Sequence, residues 1–397
     1  MQLTEAYIVS SVRTPVGKAK KGALRDVRPE YLGTVAVNGA IARVAGLTGE
    51  HIDDLILGCA FPEGPQGMNV ARAIAQKAGL PDTVSGLTVN RFCSSGLQTI
   101  AQAVNSVSLG QSECIVAGGV ESMSSVPMGG FFFAPDPNLA VDDPDFYASM
   151  GITAENVAAK YNVTREEQDA FAVQSHQRAA AAIASGRFAD ELVPVSVTET
   201  RYDAETRQAV ERTFEHTTDE GPRSDTTLEA LARLKPAFKV GGTVTAGNAS
   251  QMNDGAAASV VMSKRMMEEL GATPMARMLG FAVAGVPATI MGIGPLDAIP
   301  KVLKQVGLTI EDIDLVELNE AFASQSVAIV RELGFDPAIV NVNGGAIALG
   351  HPLGCTGSKL TATLLHEMKR RGSRYGIVSM CVGGGMGAAG VFENLAV

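Results

Sequence analysis

The feature that most constrains this chain is a faint internal repeat. "HIDDLIL" (51–57) resembles "DIDLVEL" (312–318), with Ile52 opposite Ile313. "CIVAGG" (114–119) resembles "GIVSMC" (376–381), with Ile115 opposite Ile377. The offsets are 261 and 262 residues, and two unrelated coincidences would not be expected to share a spacing. Two similar halves are therefore expected. The repeated segments are short, continuous apolar runs, as in strands covered by helices on both faces. "AYIVSSV", "DDLILGC", "GLTVN" and "ECIVAGG" read as strands in the first third, and "DLVEL", "IVNVN" and "YGIVSM" in the last. "SSGLQTIAQAVNSVSLG" and "GSKLTATLLHEMKRRG" read as helices that end at glycine. The expected fold class is α/β, duplicated.

At 397 residues the chain is too long for one ordinary core, which agrees with two domains, placed at 1–270 and 271–397. Residues from about 123 to 247 break the pattern. They hold "MGGFFFAPDPNLAVDDPDFYASMG", the helical "TREEQDAFAVQSHQRAAAAIASG" and the charged "TETRYDAETRQAVERTFEHTTDEG". A segment this long and irregular reads as a functional insertion, with its natural place over the active site. The net charge of −10 argues against nucleic-acid or anionic-membrane binding, while leaving room for a local basic pocket. No stretch approaches the roughly 18 apolar residues of a membrane span. The first residues lack a basic segment followed by an apolar one, so no secretory signal is expected and the cytoplasm is the expected location. Five dispersed cysteines without a CxxC pair suit free thiols better than disulfides or a zinc site.

Four stretches share a strand–turn–helix setting: "TVNRFCSSGLQ", "LVELNEAFA", "VNVNGGAIALGHPLG" and "IVSMCVGGGMG". In α/β sheets, ligands gather at the carboxyl ends of strands beside helix N-termini. Cys93 follows a strand and opens a helix, whose free N–H groups and dipole would favour a thiolate. The plainer reading is a buried helix-start cysteine. His351 lies among glycines, and Pro352 can take the first helical position. The alternative is a surface loop histidine. Asn319 reads as a helix N-cap, with Glu320 as a competing catalytic carboxylate. Cys381 ends a strand, and the glycines after it would expose backbone N–H groups, as an oxyanion hole requires. Cys59, Cys114 and Cys355 read as packing cysteines. His51, His176, His216 and His366 lack any supporting pattern.

Taken together, these motifs closely resemble the thiolase family over essentially the whole chain. "VNRFCSSGLQ" resembles its nucleophile motif and "GNASQMNDGAAA" its central motif. "NEAFA" resembles the third, and "GHPLGCTG" with "CVGGGMGAAG" the final pair. The degradative 3-ketoacyl-CoA thiolases are the branch it looks most like. The resemblance implies a five-layered αβαβα core with an inserted loop domain. It implies cleavage of 3-ketoacyl-CoA by CoA, with coenzyme A as substrate and no permanently bound cofactor. Cys93 would carry the acyl group after His351 takes its proton, and Cys381 would serve as acid and base on the α-carbon. His351 and a water on Asn319 would hold the enolate oxygen, and the N–H groups of Cys93 and Gly383 the tetrahedral oxyanion. Ser250, Met150, Phe238, Phe322 and Arg223 would line the coenzyme A path.

A homodimer or homotetramer, with a possible hydratase/dehydrogenase partner subunit, is also implied. The biosynthetic acetoacetyl-CoA thiolases usually carry His before the Met-Gly of the loop, where this chain has Ser149 in "YASMG". That departure leans towards the degradative branch, as does the apolar "GGFFFAP", which suggests room for longer acyl tails. A ketoacyl synthase would show two catalytic histidines in place of "NEAF" and a second cysteine. A non-catalytic lipid-carrier relative would lack one of the motifs.

Overall fold

A computed structural model describes residues 3–203 and 205–396. Its main sheet is assembled from β1 (Ala6–Arg13), β2 (Gly17–Lys18), β3 (Asp54–Gly58), β4 (Ser85–Val89), β5 (Cys114–Ser122), β8 (Asn253–Ser263), β9 (Ala276–Gly285), β10 (Leu315–Leu318), β11 (Tyr375–Val382) and β12 (Met386–Asn394). A separate hairpin pairs β6 (Val195–Tyr202) with β7 (Ala209–His216). The order along the main sheet is β10-β11-β12-β9-β1-β8-β5-β3-β4, with β2 beside β8.

That order contains the repeat. Running outwards from the centre, β1-β8-β5-β3 and β9-β12-β11-β10 have the same succession of directions. The outer pair is parallel in each half, and the next two pairings are antiparallel. The halves meet between β1 and β9 at the single pair Ile8 and Ala276. Even the turn before the outer strand recurs: Thr48 and Thr309, 261 residues apart, each close a capping box with the third residue that follows, His51 or Asp312.

Helices layer this sheet on three levels. Leu32, Val37 and Ile74, from two outer helices, join one apolar core with Leu55 and Val116 of the first half-sheet. Ile299, Val302 and Ile329 do the same against Val316, Ile377 and Val391 of the second. Between the half-sheets lie the helices Ser95–Ser108 and Leu353–Arg371, whose Leu97, Ile100, Leu360 and Leu364 pack with Ile115, Val261, Val378 and Phe392. The two central helices meet backbone to backbone at Gly96 and Gly357, again 261 residues apart. A Cβ on Gly96 would lie 2.7 Å from the Ser358 nitrogen, and one on Gly357 only 2.3 Å from the Leu97 nitrogen. The fold is thus the duplicated αβαβα arrangement.

Three local readings need correction. "IVNVN" forms no strand; it contributes one bridge, Val340 to Val316. The irregular 123–247 segment holds an ordered hairpin where its charged stretch begins: Val195, Val197 and Phe214 join the first core, and the alternation pairs Val195–Tyr202 with Ala209–His216. The second central helix starts at Leu353, so Pro352 caps it from outside. The inserted segment is tied to the core by Arg13 at the end of β1. Its buried guanidinium donates to both carboxylate oxygens of Asp219 (2.7 and 2.8 Å) and to Glu191. Two carboxylates beside one guanidinium offset the cost of burying it.

Candidate active site

The chain leaves β4 through a tight turn into the helix Ser95–Ser108. Asn90 Oδ1 accepts the Phe92 N–H (2.9 Å), and the Ser95 hydroxyl donates to the Phe92 carbonyl (2.7 Å) while accepting the Arg91 N–H (2.9 Å). Phe92 is held at φ +42°, a left-handed conformation that costs a bulky residue energy. This turn sets Cys93 at the helix start, facing the second half. There the backbone N–H groups of Gly383 and of Cys93 itself lie close enough to Sγ to favour its charged form. The helix start alone would favour a thiolate, and burial works against it. Loss of water pushes the Cys93 thiol up to about 12, against the opposing pull of those two N–H groups. Cys93 rests as a thiol and needs a base.

His351 sits where the chain reverses at Gly350 (φ +94°) before the second central helix. Asn253 Oδ1 accepts its N–H (3.0 Å), and a Cβ on Gly350 would strike that same amide at 2.4 Å. The ring is buried, with Nδ1 2.6 Å from Thr356 Oγ1 and Nε2 3.3 Å from Asn319 Nδ2. Burial, helped by the charge of Lys359, pushes His351 down to about 3, so its imidazole is neutral and free to accept a proton.

Asn319 follows β10. Its N–H donates to the Ser379 carbonyl (2.9 Å), and its carbonyl accepts from Gln325 Nε2 (3.1 Å). The N-cap reading fails, because the next helix, Ala323–Leu333, begins beyond Phe322 and has no side-chain cap. Asn319 Oδ1 is buried and has no partner among the described residues. A buried amide oxygen left open in this way is a place for a water or a substrate oxygen. Glu320 loses its catalytic reading. Its carboxylate accepts from Ser175 Oγ (2.6 Å), Asn341 Nδ2 (2.8 Å) and the Ile347 N–H (3.1 Å), which makes it a strut for the His351 loop.

Cys381 lies near the end of β11, opposite Gly387 of β12. It is fully buried, which pushes its thiol up, and a negative charge on Cys93 would push it further. A negative charge on Cys93 thus disfavours one on Cys381. The structure sets Gly383 and Cys381 beside Cys93, and joins His351 through Asn319 to Ser379 of the strand that carries Cys381. Met150 and Phe322 share an apolar cluster with Cys381, Ala154 and Met291. Phe238 stands edge-on to Phe322, ring centroids 6.1 Å apart, and is 42% exposed, so this cluster opens to solvent there. Ser250 is fixed at its edge by donating its N–H to the Ala321 carbonyl (2.9 Å). Arg223 lies apart, with an exposed side chain and an N–H that donates to His176 Nδ1 (3.1 Å).

The "FFF" stretch stands away from this cluster. Phe131, Phe132 and Phe133 are outside the Cys381 cluster and exposed. Phe131 lies over Gly64 and Phe133 against Tyr147.

Three residues escaped the sequence reading. Glu121, at the end of β5, accepts from the Ala60 N–H (2.7 Å), Gln66 Nε2 (2.9 Å) and the Gly354 N–H (2.8 Å), so it pins the N-terminus of the His351 helix to the first half. Its signal was present: a carboxylate inside a continuous buried run must be paired. Asn253 and Thr356, which hold His351, stand out only through contacts the sequence does not display.

The comparisons with known proteins agree with this geometry. The family model "Thiolase, N-terminal domain" matches residues 6–265, and "Thiolase, C-terminal domain" matches 272–394. The chain is similar to a 3-ketoacyl-CoA thiolase of Bacillus subtilis (strain 168), 58% identical and covering 98% of this chain and 100% of that one. Among solved structures it superposes on the Bacillus anthracis acetyl-CoA acetyltransferase with a TM-score of 0.90 at 44% identity, covering 99% and 100% of the two chains. It superposes on human mitochondrial 3-ketoacyl-CoA thiolase in complex with CoA with a TM-score of 0.87 at 39% identity, at the same coverage.

Proposed function

This chain belongs to the thiolase family and is an acyl-CoA acyltransferase, and from that premise we propose that it cleaves 3-ketoacyl-CoA with free CoA in fatty-acid β-oxidation. The observation that carries the reading is the pair of buried thiols, Cys93 and Cys381, with a buried His351 held against Asn319. Cys93 gives its proton to His351, and the thiolate attacks the ketone carbon. The oxyanion is held by the N–H groups of Cys93 and Gly383, each such donor typically worth about 3 kcal/mol of barrier. The carbon–carbon bond then breaks. The acetyl-CoA enolate leaves with its oxygen held by His351 and by a water on Asn319 Oδ1, and Cys381 delivers a proton to its α-carbon. The resulting Cys381 thiolate takes the proton of incoming CoA. The CoA sulfur attacks acyl-Cys93, and His351 returns its proton to the released Cys93 sulfur.

Coenzyme A reaches Cys93 along Ser250, Met150, Phe238 and Phe322, with Arg223 at its nucleotide end. The 123–247 insertion, within an N-terminal domain of 1–270, supplies most of that wall, and 271–397 is the second domain. A cytoplasmic homodimer or homotetramer, with a hydratase/dehydrogenase subunit as partner, belongs to the same reading. Ser149, exposed at the start of the helix Met150–Lys160, supports the degradative branch. The likeness to an acetyl-CoA acetyltransferase structure keeps acetoacetyl-CoA synthesis as the second reading. Steady-state thiolysis of C4 to C16 3-ketoacyl-CoAs separates the two. The expected result is a kcat/KM for C8 or longer at least equal to that for C4; a strong C4 preference would favour the second reading.

A further inference from the structure

The reaction requires the lone pair of His351 to lie on one particular ring nitrogen, and the residues around the ring bear on which one. Nδ1 is 2.6 Å from Thr356 Oγ1. That hydroxyl lies 3.0 Å from the Pro352 carbonyl and donates to it, one helical turn back. The carbonyl is fixed by the first turn of the helix, where the N–H groups of Cys355 and Thr356 also reach it (3.0 and 2.9 Å). A hydroxyl has a single proton. With that proton directed at Pro352, Thr356 Oγ1 would accept from His351, which calls for the hydrogen on Nδ1. The far side of the ring agrees. Asn319 presents its amide nitrogen, a donor, to Nε2 at 3.3 Å, which calls for a lone pair there. The opposite tautomer would require the Thr356 hydroxyl to leave Pro352 and the Asn319 amide to reverse. That reversal would turn the open Oδ1 away from the site.

We propose that Thr356 is a positioning residue that keeps the proton of His351 on Nδ1, so that Nε2 is the base and Asn319 keeps Oδ1 turned towards the site. The two settings are coupled: the Thr356 hydroxyl fixes the imidazole, and the imidazole fixes the amide. No atom of Thr356 meets the substrate. Its contribution is to hold one proton at one nitrogen, which matters because a misplaced base forfeits most of the roughly 10²–10⁴-fold that general-base catalysis supplies. The inference rests on the thiolase reading for its catalytic consequence but not for its structural content.

Nitrogen-15 NMR of the histidine side chains in the full chain, with His351 assigned by loss of its signals in His351→Gln, tests the structural content directly. The expected wild-type spectrum has a pyrrole-like Nδ1 and a pyridine-like Nε2; the reverse would overturn the proposal. Thr356→Ser retains the hydroxyl and should keep both the tautomer and kcat within about 3-fold. Thr356→Val removes the acceptor and should lower kcat for thiolysis by about 10²-fold with KM little changed, while the His351 spectrum moves away from a single tautomer. Equal losses in the two variants with an unaltered spectrum would reduce Thr356 to packing and overturn the proposal. If Thr356→Val does not fold, the wild-type spectrum and Thr356→Ser still decide. A wild-type chain that thiolyses no 3-ketoacyl-CoA yet shows Nδ1 protonated would refute the functional reading alone.

Discussion

The two halves of the molecule each place a candidate site residue in the connection that enters a central helix, and they build that connection differently. In the first half, β4 is a full strand, parallel to β3 from Ser85 to Val89, and its end delivers Cys93 to a central helix. In the second half, the matching segment pairs with β10 at Val340 alone and then becomes the loop that delivers His351 to the other central helix. Asn341 takes over where the strand stops. Its side chain accepts the Leu318 N–H (2.8 Å) and donates to the Leu318 carbonyl (2.8 Å), imitating the backbone of a missing strand residue. One topology has thus placed Cys93 at the end of a full strand and His351 on a stitched loop. The loop leaves room beside β10 and β11 for Asn319 and Cys381.

The sharpest way to separate the contributions of the halves is Cys381→Ala. It leaves Cys93, His351 and the N–H groups in place. Transfer of acetyl from acetyl-CoA to the enzyme needs no α-proton and should survive in part. Thiolysis, and exchange of α-deuterium from acetyl-CoA into water, should fall by about 10²–10⁴-fold. Equal losses in all three rates would make Cys381 a packing residue.

A second variant attacks the stitched loop. Asn341→Ala leaves the Leu318 N–H and carbonyl buried without partners, so the chain should lose about 3 kcal/mol of stability, read as a lower urea midpoint. Thiolysis should also fall, because Asn319 and His351 flank the loop. An unchanged midpoint would show that the amide does not replace a strand.

The smallest effect expected is the absence of one. His351 is pushed down to about 3, so it stays neutral from pH 8 to pH 5. Acetyl transfer to the enzyme should then show no inflection near the ordinary histidine value of about 6.5. Folding, by contrast, should weaken as pH falls from about 6.5 towards 3, because only the unfolded chain takes up that proton. An acid limb centred near 6.5 in the transfer rate would contradict the buried, neutral base.

Much of this was legible in the sequence, for identifiable reasons. The outer strands β3, β5, β10 and β11 are continuous apolar runs, and the matched offsets revealed the duplication before any coordinates. The strands β8, β9 and β12 were not placed. "NDGAAASVVMS" and "MGAAGVFEN" are rich in Ala and Gly, residues that carry no strand preference. They are small because helices and neighbouring backbone come close: a Cβ on Gly387 would meet the Gly294 carbon at 2.1 Å. "IVNVN" looked like a strand because Ile and Val favour one; the Asn341 side chain, not visible as a backbone partner in sequence, ended it. Cys93 could be placed at its helix start from sequence, but its burial could not. The helix start is local and can be read from sequence, whereas the burial of Cys93 depends on residues of both halves packed around it.

The central claim is a division of labour: the first half carries the acyl group on Cys93, and the second half moves protons. The most direct measurement is peptide mass mapping of the wild-type chain after brief incubation with acetyl-CoA and acid quench. The account predicts one acetyl group, on the peptide containing Cys93, with the Cys381 peptide unmodified. Acetyl on Cys381, with Cys93 free, would contradict it.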